Sequence, residues 1–209
     1  MNREDFINQL ANDLPEKTKV VTLNSLLLSW GIISVAFLAL SIYWLGVSEN
    51  IAYILSEPLL AFEALCSLTL GVLSAAGAFI ASIPGRTKTK TLKYLALFPL
   101  ALWIMTVSIR WLVLKETAPN LLGPLHCSWY IVFLSIIPGI FIFHLLRKAA
   151  PLELGPTGFL AFTCVIGFGA FVMGLGCTLH DPLHIAATHI LPVLVLGLAG
   201  GLLGKKLLN

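Results

Sequence analysis

Two cysteines and a set of histidines are the groups in this sequence that could do chemistry. His126 precedes Cys127, and Cys177 is followed by His180, Asp181, His184 and His189. Of the five histidines only His144 lies elsewhere. Thiolate with imidazole is a soft-to-borderline ligand set, suited to zinc, copper(I) or a cadmium-like ion. The same two sulfurs could instead close a disulfide, which an oxidising compartment permits. A metal needs the thiols reduced, so the two uses exclude each other, and a redox sensor would cycle between states. The plain alternative is packing, since cysteine behaves as a small apolar residue. The crowding of so many such groups argues for a site. Cys66 and Cys164 fall inside apolar runs and read as packing residues.

These groups must be positioned by an apolar chain. Of the 209 residues, 58% are hydrophobic and 11% charged, with a mean hydropathy of +0.94. A soluble domain carries about 25% charge. The apolar residues form runs at 22–47, 58–83, 92–114, 125–146, 154–178 and 185–204. About 20 apolar residues cross a bilayer as a helix. In lipid the backbone must satisfy itself, and these runs lack the alternation of barrel strands. The expected fold class is an all-α membrane protein with six transmembrane helices. The expected domains are an amphipathic N-terminal segment, 1–21, and a six-helix domain, 22–209. No room remains for a large soluble catalytic or DNA-binding domain, and a net charge of +3 does not suggest nucleic acid.

Charge placement sets the expected orientation. Of the 13 basic residues, all but Arg110 and Lys115 lie in the N-terminal segment, the second and fourth loops or the tail. Basic residues favour the cytoplasmic side, so both termini are expected there. Cys127, at the start of the fourth helix, and Cys177, at the end of the fifth, then meet at the outer face. The first 21 residues hold Glu4, Asp5, Asp13 and Glu16 ahead of the apolar run, which is unlike a signal peptide. The five tryptophans lie mostly near helix ends, as interfacial aromatics do. Gly197-x-x-x-Gly201 and Gly200-x-x-x-Gly204 offer small-residue faces for helix contact.

Within residues 3–14, Phe6, Ile7, Leu10, Ala11 and Leu14 recur at helical spacing before Pro15. Such a helix lies on the membrane or bundle, or docks its apolar stripe in a partner's groove. Glu63 sits about 8 Å inside the second helix by the helical rise. A charge at that depth is costly unless paired, and Arg110 is its expected structural partner. Gly-x-Ser-x-Gly, Cys-x-x-Cys, His-Glu-x-x-His and a P-loop are absent. Few charges lie within the helices, against a proton-coupled transporter. The chain reads as a non-enzyme.

The ordered pattern resembles the NrsF-type (negative regulator of sigma F) integral-membrane anti-sigma factors over nearly the whole chain. The resemblance rests on the acidic helix ending Leu14-Pro15 and on six helices with both ends inside. It rests further on Cys127, Ile137-Pro138, and Arg147-Lys148-Ala149-Ala150-Pro151. Gly174-Leu175-Gly176-Cys177 followed by Thr178-Leu179-His180-Asp181-Pro182, and the closing Gly200-Gly201, Gly204-Lys205-Lys206, complete it. His184 and His189 depart from the pattern and add weight to metal binding. The resemblance implies retention of an extracytoplasmic-function sigma factor at the bacterial inner membrane and its release under metal or oxidative stress. It implies Cys127 and Cys177 as sensing residues, with Phe6, Ile7, Leu10 and Leu14 as the expected sigma-docking side chains. The rival expectation is a membrane redox or metal-handling protein that uses the same outer site.

Overall fold

The computed structural model of the chain describes residues 2–5, 22–46, 48–83, 89–114, 126–149 and 151–208. Phe6, Ile7, Leu10, Leu14 and Lys115 lie outside the described residues, as do residues 84–88 and 115–125 as a whole. Among those described, every regular element is helical. The elements are α1 (Leu23–Leu45), α2 (Ser48–Ser56), α3 (Pro58–Ala81), α4 (Thr89–Leu114), α5 (His126–Lys148), α6 (Leu154–Gly176) and α7 (Pro182–Leu207). Six of them are long and apolar enough to cross a membrane.

Local chemistry marks several ends. The Thr22 hydroxyl accepts a hydrogen bond from the Ser25 backbone N–H and opens α1, and Gly46 closes it at a φ of 65°. That left-handed conformation strains any residue with a Cβ. Pro58 and Pro182 occupy the first helical positions of α3 and α7. There a missing N–H has no intrahelical partner to lose. Three differences from expectation stand out. The last helix begins at Pro182 rather than residue 185. A short helix, α2, occupies the connection between the first two spans. Trp30 and Trp103 are buried in the core rather than interfacial. Both lie well inside their spans, where helix packing rather than the headgroup layer sets their surroundings. Trp30 packs on Phe168, with ring centroids 6.5 Å apart.

The most enclosed span is α6, which packs against α3, α5 and α7. Without a hydrophobic force between helices in lipid, close packing depends on small residues. A Cβ on Gly158 would meet the Gly200 carbonyl oxygen and the Gly204 Cα at 2.5 Å. One on Gly200 would strike the Phe162 side chain at the same distance. The Gly200/Gly204 pair therefore sets the α6–α7 crossing. Gly201 is less demanding, since a Cβ there finds Phe159 at an ordinary 3.6 Å. The Ser135 hydroxyl joins α5 to α6 by donating to the Val165 carbonyl at 3.0 Å. Leucine, isoleucine and aromatic side chains such as Leu28, Ile32, Phe133 and Leu202 cover the outside, as a lipid solvent requires.

Candidate functional site

The connectivity puts the start of α5, the end of α6 and the start of α7 at one end of the bundle. Cys127 is the second residue of α5, and Cys177 caps α6 by donating its backbone N–H to the Met173 carbonyl. His184 lies in the first turn of α7, where the Asp181 carboxylate accepts its backbone N–H at 2.8 Å. His189 belongs to a wider π-turn, Ala186–Ile190. In a regular α-helix two residues five apart are roughly 140° apart around the axis. The π-turn removes much of that angle and brings His184 and His189 together, with ring centroids 5.8 Å apart.

Pro192 supplies a sequence cause for the π-turn. It has no N–H to give the carbonyl four residues back, and its ring crowds that carbonyl. The carbonyl belongs to Thr188, and the Ser128 hydroxyl of α5 donates to it at 3.0 Å. The Thr188 hydroxyl in turn donates to the His184 carbonyl at 2.8 Å and lies 3.2 Å from His184 Nε2. Ser128, Thr188 and Pro192 were not singled out as site residues from the sequence. A proline inside an apolar run is the one signal that could have pointed to them.

Four of the seven expected sensing residues converge. Cys127 Sγ and Cys177 Sγ are 3.8 Å apart, and Cys177 Sγ is 3.4 Å from His184 Nε2. One ligand atom from each of Cys127, Cys177, His184 and His189 lies within 4.8 Å of all the others, and all four residues are buried. His189 is only 2% exposed, and its Nε2 has no hydrogen-bond partner among the described residues. The hydrogen bond shared with Cys127 holds the Cys177 thiol below its usual range, with burial opposing and His189 assisting.

The other three expected residues stand outside this group. His126 is exposed and its ring meets Tyr130 edge-on, with centroids 6.1 Å apart. Asp181 caps α7. His180 packs edge-on against Tyr53, with centroids 5.1 Å apart. Burial lowers the His180 pKa, partly offset by the negative charge of Cys177.

Glu63 and Arg110 lie beside the group. Arg110 Nη1 is 2.6 Å from Glu63 Oε1, with side-chain exposures of 8% and 6%. Arg110 Nη2 also donates to the His180 carbonyl at 2.5 Å and ties the α6–α7 connection to α4. A cavity of about 30 Å³ is lined by Glu63, Cys177, His180 and His189, among others. That is enough for a water or a single ion.

No curated protein and no solved structure shows a significant match to the chain. The sequence model of one family, described as NrsF, negative regulator of sigma F, matches residues 10–209. With six spans and nearly the whole length matched, the chain belongs to the NrsF family of negative regulators of sigma F.

Proposed function

We propose that the chain is an anti-sigma factor which holds an extracytoplasmic-function sigma factor at the bacterial inner membrane. A metal ion or an oxidant acting on the Cys127/Cys177 group releases it. The observation that carries this reading is the family match over residues 10–209, joined to the buried convergence of two thiols and two imidazoles. The distribution of Lys and Arg supports cytoplasmic termini and an outward-facing cysteine end. The docking element is the N-terminal segment, through Phe6, Ile7, Leu10 and Leu14, whose apolar stripe suits a partner groove.

The three helices that supply the thiols and imidazoles also meet at the opposite end of the bundle. There Arg147 Nε of α5 donates to the Leu207 carbonyl of α7 at 2.6 Å, and the glycine crossing joins α7 to α6. A change among the helix ends at the cysteine side is passed along these contacts. The effector releases sigma only by binding the released state better than the holding state. A tenfold loss of sigma affinity needs about 1.4 kcal/mol of coupling.

The test compares membranes carrying wild-type protein with membranes carrying the Cys127→Ser, Cys177→Ser double variant. Each is challenged with cadmium or peroxide, and membrane-bound sigma factor is quantified. Wild type should lose sigma and the double variant should retain it. An equal response from both removes the sensor assignment. The rival, a redox or metal-handling protein, is favoured by the same buried ligand group. It requires transport or turnover in liposomes with no cytoplasmic partner.

A further inference from the structure

We propose that Cys127, Cys177, His184 and His189 form one tetrahedral site for a divalent d10 cation of the zinc and cadmium class, completed by the π-turn ahead of Pro192. The proposal rests on the reading above only in using the same thiols.

The first argument is metric. Two thiolates on a tetrahedral zinc, with Zn–S near 2.3 Å, stand about 3.8 Å apart. Cys127 Sγ and Cys177 Sγ are 3.8 Å apart. A thiolate and an imidazole nitrogen on the same ion stand about 3.6 Å apart, against 3.4 Å for Cys177 Sγ and His184 Nε2.

The second argument is the unspent donor. His189 is buried, yet its Nε2 finds no partner among the described residues, and a buried ring nitrogen left without one is costly. A metal ion on that nitrogen would offset part of the cost, with a ligand bond standing in for the hydration lost on burial.

The third argument is charge. Two thiolates and two neutral imidazoles around a divalent ion sum to zero, which a buried site in an apolar bundle tolerates. A monovalent copper ion would leave one negative charge unbalanced. Arg110 is already engaged by Glu63, and Asp181 by the cap of α7. Two nitrogen ligands also favour zinc over the softer, thiolate-rich environments of copper(I).

The experiment titrates the reduced, metal-free, full-length protein in detergent with cobalt(II), followed by zinc. Wild type should bind one equivalent, with thiolate-to-cobalt absorption and the visible bands of tetrahedral cobalt, and zinc should displace it. His184→Ala and His189→Ala should each weaken binding by more than about a hundredfold. Cys127→Ser should reduce the thiolate-to-cobalt absorption to that of a single sulfur, and His126→Ala should change nothing. An octahedral cobalt spectrum of the wild type, or wild-type binding no greater than that of the Cys127→Ser, Cys177→Ser variant, overturns the proposal. Unchanged binding in both histidine variants overturns it as well. Sigma retention is scored on the same preparations. Retention without metal binding sinks this proposal and leaves the anti-sigma reading standing. Metal binding with no sigma factor recovered supports the site and sinks that reading.

Discussion

A carboxylate and a guanidinium, each less than a tenth exposed, face each other between apolar helices at Glu63 and Arg110. Charges in such a place are tolerable only when paired, and removing one leaves the other stranded. Glu63→Ala should therefore lower stability by about 3–5 kcal/mol, read as denaturant unfolding in detergent. The charge-swapped pair, Glu63→Arg with Arg110→Glu, should recover part of the loss. Equal losses in the single and swapped variants would contradict a pairing role. The depth of these two residues was legible because helical rise alone puts them at similar levels. Which histidines join the thiols was not legible. His126, His180, His184 and His189 all fall at one end in sequence, and only side-chain direction separates the exposed His126 from the buried His189.

The spans themselves were legible to within a few residues, because a run of apolar residues in lipid leaves the backbone no alternative to a helix. What such runs conceal is departure from regularity. The π-turn at Ala186–Ile190 has the same composition as a regular turn and differs only in which carbonyls find donors. Pro192→Ala gives the Thr188 carbonyl a helical N–H and should let the turn relax toward α-helix. Cobalt affinity should fall while the unfolding midpoint holds or rises. An unchanged affinity would show that the turn is not what brings His189 into the group. The short helix α2 carries no clear sequence signal, because a nine-residue segment beginning Ser-Glu-Asn reads as a loop. The glycine faces of α7 were visible, but not that Gly200 and Gly204, rather than Gly197 and Gly201, carry the closest approach. Gly158→Leu should push α6 from α7 and cost roughly 1–3 kcal/mol or more. The same unfolding assay checks it, and wild-type stability would contradict the crossing described.

At the scale of the molecule, the fold class agrees with the apolar runs and the family with the resemblance of the ordered motifs, while orientation rests on charge. If both termini are cytoplasmic, a fluorescent protein at the C-terminus should fluoresce. Alkaline phosphatase inserted within residues 115–125 should be active. The opposite pair of results would turn the cysteine end inward. On the proposed reading one end of the bundle receives a signal and the other acts on a partner, and α5, α6 and α7 reach both ends. The central claim is that a sigma factor is held there. The measurement that tests it most directly is capture of the full-length protein from its native membranes in unstressed cells, with bound proteins identified by mass spectrometry. A sigma factor should be recovered with wild type and lost with the Leu10→Asp, Leu14→Asp variant. Recovery of none with wild type would contradict the account, and equal recovery with the variant would contradict its docking element.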